Sequence, residues 1–516
     1  MNVPWLTLVI VIPVGAALLL QVVPRNLTAA VKGVTLLATA AVAVIVGVLV
    51  AMLPHTVGSD QPLTFHYEET HAWIPGIGAS YHLGLDGLSA WLLALNAGVF
   101  LLGALAVSRR STERLRFYCT LLLLTEAATA GVLLAADLLL FYLFWEGMLV
   151  PLYFLLSNYG GEKRGPATLK FILYTVAGSL LMLLSIIWLY VNSGARSFDL
   201  ETLITSSGPA QAVIVIPGIH VPTFTPQELV FIGFALAFAI KLPLVPFHTW
   251  LPDLYEACPP AALVFFAGIV SKLGAYGFIR FGLTLFPEPV NHFKWFLAGV
   301  AVLSIIYGAL MALSERDIKR IVAYASISHL GFVALGIFSL TQNGVNGSII
   351  QMINHGIIIS ALFLIVGFIE ARTGTRDRRQ IAGLERRMPW LYAFFLVATL
   401  AALGMPGMNG FVGEFTIMLG AFQLNWLYAV LAGGGVVLAC WYMLRLHQGL
   451  MHGPPAALVE RVRDIRMGEG LLLAPLAALM IFLGVYPRPV GDLARPAVTQ
   501  YVARATGTPV LPAVYS

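Results

Sequence analysis

Charged residues are scarce in this sequence. Asp, Glu, Lys and Arg make up 11% of its 516 residues, whereas 59% are hydrophobic. Soluble domains contain roughly 25% charged residues, so this composition excludes an ordinary water-soluble domain and indicates a membrane protein. The net charge of +5 does not indicate nucleic-acid binding, because the basic residues cluster in short loops between apolar stretches.

Cysteine is almost absent as well. The three cysteines, Cys119, Cys258 and Cys440, lie far apart and show no metal-ligand spacing. The sequence also lacks the cysteine cluster that holds an iron–sulfur centre and the glycine-rich fingerprint of a dinucleotide site. We therefore expect no cofactor and no metal on this chain, and we interpret the cysteines as packing residues.

Long apolar stretches are what the sequence has instead. Windows of about 20 apolar residues predict about 14 transmembrane helices, which we number as spans 1 to 14. Their approximate limits are 4–22, 30–53, 84–107, 115–134, 136–157, 168–193, 229–250, 260–284, 295–313, 318–340, 345–370, 392–419, 426–447 and 470–487. The predicted fold class is an all-α polytopic membrane protein. Span 1 has no clear cleavage site, so we expect a retained helix rather than a signal peptide.

Basic residues alternate between the loops. The loops at 54–83 and 341–346 have no Lys or Arg, and the loop at 194–228 has only Arg196. The intervening loops carry Arg109, Arg110, Arg114, Arg116, Lys163, Arg164, Arg316, Lys319, Arg320 and the six arginines 372, 376, 378, 379, 386 and 387. The positive-inside rule places these basic loops in the cytoplasm. We therefore predict that both termini lie on the non-cytoplasmic side.

Two spans are interrupted by helix-breaking residues. Pro243 and Pro246 follow Lys241 in span 7, and the run GMPGMNG at 404–410 precedes Glu414 in span 12. Proline removes a backbone donor, so both helices should unwind near their middle; the alternative is a simple packing kink. Because the breaks lie five spans apart, we predict two inverted five-helix repeats. The predicted domains are three N-terminal helices in 1–110, the first repeat in 111–290, the inverted second repeat in 291–450, and a cytoplasmic linker, the last transmembrane helix and a C-terminal tail in 451–516.

Five ionisable or imidazole-bearing residues lie near the middle of these spans, namely Glu146, Lys241, Lys272, His329 and His355. A sixth, Glu414, follows the broken segment of span 12. A charge at bilayer depth costs about 2.5–3.5 kcal/mol on the insertion scale, so such residues are usually functional. Proteins that keep both acids and amines there usually move protons or ions. We therefore interpret the six as a proton relay along the middle of the membrane.

Structural alternatives exist for some of these residues. Contact between Glu146 and Lys241 would let the carboxylate control the charge of the lysine, but the same contact would also fit a static ion pair. His329 and His355 are either relay groups or hydrogen-bonded core histidines. Glu126 also lies in the middle of a span, and no motif assigns it a role.

Five further polar residues lie near the ends of spans. His248, Asp253 and Glu256 follow the break in span 7. They either line a proton entrance or belong to a wet loop. Asp86 and Asp137 stand near span ends, where carboxylates more often cap or orient helices than conduct protons.

Several motifs resemble the antiporter-like proton-translocating subunits of respiratory complex I. They are FWEGMLVP at 144–151, AIKLPLVPFHTWLPD at 239–253 and GMPGMNGFVGEF at 404–415, supported by LGLDGLS at 83–89 and RIVAYASISH at 320–329. The match covers nearly the whole chain in the right order. Glu414 favours the branch of the family that carries a glutamate in the broken twelfth helix, because L-type, N-type and Mrp antiporter relatives typically carry lysine there.

The resemblance implies a role for each candidate residue. Glu146 would pair with and modulate Lys241, Lys272 would be the central relay, His329 and His355 would extend the hydrophilic axis, and Glu414 would be the terminal exit-side group. It also implies a non-redox subunit of an NADH:quinone oxidoreductase in a bacterial inner membrane. NADH, FMN, iron–sulfur clusters and quinone would then belong to partner subunits, among which L-type and N-type subunits are expected.

Three other functions fit parts of this pattern. An Mrp-type cation/proton antiporter subunit shares the fold and most of the motifs. The equivalent subunit of a ferredoxin-linked complex keeps the proton path but changes the electron donor. A purely structural membrane anchor would keep the charges as ion pairs only.

Overall fold

The computed structural model describes residues 3–24, 26–54, 63–108, 114–206 and 224–508, which form a helical bundle with one β-hairpin. The first ten helices are α1 (Trp5–Val22), α2 (Thr28–Ala51), α3 (Gly87–Ser108), α4 (Leu115–Leu134), α5 (Leu138–Gly147), α6 (Leu149–Tyr159), α7 (Arg164–Asn192), α8 (Leu200–Ser206), α9 (Pro226–Lys241) and α10 (Trp250–Ala257). The others are α11 (Pro260–Gly268), α12 (Leu273–Gly277), α13 (Leu283–Leu285), α14 (Pro287–Ser314), α15 (Ile318–Phe338), α16 (Gln342–Thr373), α17 (Pro389–Ala402), α18 (Asn409–Leu424), α19 (Trp426–Met451), α20 (Met467–Val485) and α21 (Arg488–Thr506).

The long apolar stretches form the predicted multi-pass bundle. Within the described residues, twelve helical stretches are long and apolar enough to cross a membrane. Spans 7 and 12 are each built from two shorter helices with an unwound segment between them. In span 7, α9 ends at Lys241 and α10 begins at Trp250, and in span 12, α17 ends at Ala402 and α18 begins at Asn409. The all-α polytopic fold is confirmed, whereas the inverted repeats and the domain limits stay predictions.

Two elements were not predicted from the sequence. The hairpin of antiparallel strands β1 (His66–Ile74) and β2 (Ala79–Leu85) lies in the loop before span 3. Helix α21 occupies part of what was described only as a C-terminal tail, and it packs against α3, α14 and α16. Its buried residues Val490, Ala494, Ala497 and Tyr501 recur every three or four positions. This stripe is typical of an amphipathic helix, which a search for continuous apolar windows does not detect.

Helix α21 completes a buried polar network. The Arg280 guanidinium donates to both carboxylate oxygens of Asp86, at 2.9 and 2.7 Å. The Tyr501 hydroxyl donates to the same carboxylate at 2.7 Å and also contacts the guanidinium, while Arg280 Nε donates to the Tyr276 hydroxyl at 3.1 Å. Asp86 also caps α3 through the Ser89 amide. The expectation that Asp86 orients helices is therefore confirmed, and the network ties α21 to α3 and to the end of span 8.

Loops that were assigned to one side of the membrane contact one another. Lys163, Arg320 and Arg376 come from three different basic segments, yet each places a side-chain nitrogen within 4.0 Å of the Glu256 carboxylate, at 2.9, 3.0 and 3.8 Å. The three segments therefore share one face of the bundle. That this face is cytoplasmic stays a prediction, and Arg109 and Arg110 lie outside the described residues.

A histidine joins the loops of the opposite face. His82 in β2 places Nδ1 2.6 Å from Asp199 and Nε2 2.6 Å from Glu68. Burial opposes a charge on the ring, but the hydrogen bonds and charges of the two carboxylates outweigh it and raise the pKa of His82. Burial also opposes the charge of Asp199, whose pKa is nevertheless lowered by its bonds to His82 and Thr202.

We predict that breaking the buried ion pair destabilises the protein strongly. Asp86→Asn leaves the Arg280 guanidinium buried without its counter-charge, and such a loss costs about 3–5 kcal/mol. Thermal unfolding in detergent should show a clear decrease for this variant. The double variant Asp86→Asn/Arg280→Met should recover much of the loss, since the unpaired charge is then gone. Equal melting temperatures for Asp86→Asn and the unmodified protein would contradict the prediction.

We also predict a pH-dependent hairpin. The stability that His82 contributes is complete below its ordinary pKa of 6.5 and is lost as the pH rises through its raised value, because the ring then loses the charge that faces two carboxylates. The contribution of Asp199 is lost only as the pH falls through its lowered pKa. Amide hydrogen exchange in β2, corrected for intrinsic rates, should therefore accelerate above neutrality. His82→Gln should remove this dependence, and His71→Gln, at an exposed position of β1, should leave it.

Candidate functional site

Lys241 lies where span 7 unwinds. It is the last residue of α9, and the prolines at 243 and 246 prevent a regular continuation of the helix. The side chain is 1% exposed. Its Nζ lies 5.2 Å from the centroid of a Trp145 ring and 5.5 Å from that of Phe171, within the range of cation–π attraction. Among the described residues, Nζ has no hydrogen-bond partner.

Glu146 lies beside this lysine without touching it. The direct contact that both the relay and the static-pair interpretations assumed is absent, since no ion pair within 4.0 Å joins the two among the described residues. Their charges still interact over a longer distance. Glu146 is half-buried, and its neighbours Leu143 and Val150 are exposed, so this side of α5 and α6 lies at the surface of the chain.

Lys272 lies in an irregular part of span 8. Helix α11 ends at Gly268, a 3₁₀ turn covers Val270–Lys272, and a π-helical segment follows at Phe278–Gly282. Such irregular turns within helices frequently mark functional sites. The interruption leaves the Ala267 carbonyl available, and the fully buried Lys272 donates its ammonium hydrogen to it. No acid partner for Lys272 could be predicted from the sequence, and a backbone carbonyl contacts its ammonium group here.

Two glycines bring the backbones of these spans together. A Cβ on Gly274 would lie 2.4 Å from the Phe238 carbonyl oxygen and 2.6 Å from the Leu242 amide nitrogen, at the break of span 7. A Cβ on Gly356 would lie 2.8 Å from the Gly268 carbonyl oxygen. Small residues at such crossings allow membrane helices to pack closely. Spans 7, 8 and 11 therefore meet at the positions that carry their ionisable residues.

His355 connects span 8 with span 10. It is 2% exposed, and neither ring nitrogen has a hydrogen-bond partner among the described residues. It interacts electrostatically with Lys272 and with His329. The centroids of the His355 and His329 rings lie 5.6 Å apart. The description of His355 as a hydrogen-bonded core histidine therefore does not fit its surroundings.

His329 and Glu414 form a direct pair. His329 Nδ1 lies 2.7 Å from Glu414 Oε1, and Gln351 Nε2 donates to the same oxygen at 3.2 Å. The Tyr442 hydroxyl lies 3.4 Å from His329 Nε2. Glu414 is buried in the first turns of α18, and its other oxygen faces Gly404 of the unwound segment, where a Cβ would lie 3.0 Å away. The break in span 12 thus makes room for the carboxylate.

The sequence did not predict these partners. Gln351 lies four residues before His355 on α16 and hence on the same face, a spacing from which it could have been found. Tyr442 gave no such signal, because tyrosines are common in membrane helices. Glu126 is completely buried, and neither of its carboxylate oxygens has a hydrogen-bond partner among the described residues.

The predicted entrance residues His248 and Asp253 make different kinds of contact. Asp253 is bonded to Lys170 at 2.8 Å and to Arg320 at 3.1 Å, and Arg320 also binds Glu256. His248 is buried and packs edge-on against Tyr307, with ring centroids 4.8 Å apart. Asp253 and Glu256 therefore belong to an ion-pair network at the bundle face, whereas His248 does not contribute an ion pair to it among the described residues.

The arrangement consists of two sets of ionisable groups, all of which are buried except the half-buried Glu146. One set is Glu146 and Lys241, at the break of span 7. The other runs from Lys272 through His355 to the pair His329–Glu414, at the break of span 12. A bundle with two broken helices and buried acid, amine and imidazole groups at those breaks defines an antiporter-like membrane subunit.

Comparison with known proteins gives the family. Residues 135–440 match the family of NADH:quinone oxidoreductase/Mrp antiporter transmembrane proteins. NADH-quinone oxidoreductase subunit M of Mycobacterium tuberculosis is 36% identical, with 96% of this chain and 94% of that protein aligned. A chain of respiratory complex I from Thermus thermophilus with bound NADH is similar with a TM-score of 0.82 and 32% identity, covering 96% of this chain and 99% of that one.

A more distant structure shows the same fold. A chain of the Mrp complex from a Dietzia species has a TM-score of 0.81 at 22% identity and covers 98% of this chain and 100% of that one. This likeness concerns the fold alone. The chain belongs to the NADH:quinone oxidoreductase/Mrp antiporter family, and the resemblance seen in its sequence motifs is confirmed.

We predict that the crossing at Gly274 cannot accept a larger residue. Gly274→Val would press against the backbone of span 7, and such overpacking typically costs about 1–3 kcal/mol. Thermal unfolding should show a lower melting temperature for this variant. Gly299→Val is the matched control, because a Cβ at Gly299 meets no atom within 4 Å. Equal melting temperatures for both variants would contradict the close approach.

Proposed function

We propose that this chain is the M-type membrane-arm subunit of a bacterial NADH:quinone oxidoreductase and that it translocates protons. The observation that carries the proposal is the row of buried groups from Lys272 through His355 to His329 and Glu414, which interact electrostatically and end in a directly bonded pair. The similarity to proteins named subunit M over nearly the whole chain supports it.

The pair at the break of span 12 can hold a proton in either of two places. With the 2.7 Å distance between His329 Nδ1 and Glu414 Oε1, one proton bonds to the carboxylate or to the imidazole. Histidine is suited to such a relay because each of its two ring nitrogens can either carry or accept a proton. A change of charge on Lys272 alters the field at His355, and His355 passes this change to His329. The state of the lysine thereby biases the position of the proton.

The pair at the break of span 7 provides the input. Lys241 is held among aromatic rings, and the charge of Glu146 stabilises the ammonium from a distance. Approach of the carboxylate would favour the charged lysine, and withdrawal would favour the neutral one. Because Glu146 lies at the surface of the chain, a neighbouring membrane subunit can contact it. Such a contact would couple this chain to redox events elsewhere in the complex.

The redox chemistry belongs to partners in this proposal. NADH, FMN, the iron–sulfur clusters and quinone would be bound by other subunits, and L-type and N-type subunits would be neighbours in the membrane arm. The complex would lie in the bacterial inner membrane, with both termini of this chain on the non-cytoplasmic side. The chain itself would act as a non-redox translocase.

Glu414 argues against the Mrp-type antiporter function, because those subunits typically carry lysine at this position. Transport that depends on sodium would favour the antiporter. The equivalent subunit of a ferredoxin-linked complex would keep the same buried groups, and only the electron donor of the purified complex distinguishes it.

We predict that Lys241→Ala strongly lowers coupled transport. The variant removes the charge that responds to Glu146, so NADH-driven proton pumping and quinone reduction in membrane vesicles should both fall at least about tenfold, which corresponds to about 1.4 kcal/mol in activation free energy. Native gels should show that the complex still assembles. The matched control is Lys294→Ala, which removes a lysine of α14 that bonds to Asn291. Pumping by assembled Lys241→Ala complex at the unmodified rate would mean that the buried charges are structural.

A further inference from the structure

The His329–Glu414 pair is held at both of its ends. Gln351 of α16 binds the carboxylate end at 3.2 Å, and Tyr442 of α19 meets the imidazole end at 3.4 Å. Both side chains are almost completely buried, at 1% and 2% exposure. Four helices therefore converge on a single line of hydrogen bonds, from the amide through the carboxylate and the ring to the phenol.

The Tyr442 hydroxyl suits every protonation state of the ring. A phenol can donate or accept a hydrogen bond, whereas His329 Nε2 is an acceptor in one neutral tautomer and a donor in the other tautomer and in the imidazolium. When Nδ1 of the neutral Nε2–H tautomer gains a proton, Nε2 stays a donor and the hydroxyl accepts from it before and after the transfer. The hydroxyl needs to rotate its hydrogen only when the ring changes tautomer. No heavy atom has to move, so Nε2 stays paired although it is buried.

Gln351 acts differently at the other end. Its amide group can donate to Glu414 but does not titrate. The amide lies close to Gly413, and the absence of a side chain there makes room for it, because a Cβ on Gly413 would lie 2.3 Å from Gln351 Oε1. Gln351 Nε2 donates to the same Glu414 oxygen that faces His329 Nδ1. This bond favours the carboxylate orientation that keeps Oε1 on the line to Nδ1.

We propose that Gln351 and Tyr442 are positioning residues for one proton transfer between Glu414 Oε1 and His329 Nδ1. In this step the Oε1–H bond breaks and the Nδ1–H bond forms, so a neutral acid and a neutral imidazole become a carboxylate and an imidazolium. Neither Gln351 nor Tyr442 gains or loses a proton. The inference rests on the proposed function, since the transfer matters only if the pair belongs to the proton path.

The test compares two tyrosines of α19 in the assembled complex. Tyr442→Phe removes the hydroxyl at Nε2, and Tyr428→Phe removes a hydroxyl that donates to the Trp295 carbonyl at 2.9 Å, outside the pair. NADH-driven pumping is measured in membrane vesicles in H₂O and in D₂O. We expect Tyr442→Phe to pump several-fold more slowly and with a larger solvent isotope effect, because proton transfer becomes limiting. Tyr428→Phe should match the unmodified complex in both respects.

Gln351→Leu tests the other end of the line. It keeps a side chain of similar size but removes the donor to Glu414, so the same slower rate and larger isotope effect are expected. A purely structural role would lower the amount of assembled complex without changing the isotope effect of the complex that does assemble. That result for both Gln351→Leu and Tyr442→Phe would overturn the inference.

A fluorinated tyrosine at position 442 decides the case if Tyr442→Phe does not assemble. It keeps the size and the hydroxyl but makes the hydroxyl a stronger donor and a weaker acceptor, so the pumping rate and the isotope effect should both change. Unchanged values would overturn the inference. If the pumping rate and the isotope effect are unchanged with the fluorinated tyrosine while Lys241→Ala is inactive, this inference fails and the proposed function stands. If Lys241→Ala also pumps normally, the proposed function itself fails.

Discussion

The structure depends on the cost of enclosing a polar group in apolar surroundings without a partner. Arg280 shows how that cost is met in full, because two carboxylate oxygens and two phenols surround one buried guanidinium. Lys272 meets it with a carbonyl that an irregular helix leaves free. Where pairing is complete the groups hold helices together. Where it is incomplete, as at Lys241 and His355, a group can change its charge when a neighbour moves.

The same constraint explains why the helices break where they do. Unwound backbone survives at membrane depth only when protein or water surrounds it. The break of span 7 is covered by the close approach of Gly274, and that of span 12 encloses the carboxylate of Glu414. Each break thus supplies both an irregular backbone and space for an ionisable side chain. The two breaks differ in their surroundings, because residues 241–244 at the break of span 7 are buried, whereas Met405, Pro406 and Gly407 at the break of span 12 are exposed at the surface of the chain.

Local signals in the sequence were sufficient for much of this. Hydropathy and prolines act within a few residues of where they stand, so the spans and both breaks could be predicted. Helix α21 was missed because its apolar residues are spaced periodically instead of continuously, and the hairpin was missed because β1 is mostly polar and exposed. The depth of Glu146 and Lys241 could be estimated by counting residues, but the rotation of each helix about its axis could not. The expected direct contact between Glu146 and Lys241 is therefore absent. The contact between His329 and Glu414, which lie 85 residues apart in the sequence, depends on helix packing that residue counting does not reveal.

The position of Tyr501 has a consequence for how the chain is made. Tyr501 follows Asp86 by 415 residues and Arg280 by 221. During synthesis on a ribosome, the acid and the guanidinium enter the membrane well before the phenol that bonds to both of them exists. The nascent bundle therefore contains an incompletely bonded cation until α21 docks. Docking of this helix closes the network around Arg280 after its contacts with Asp86 and Tyr276 can already have formed.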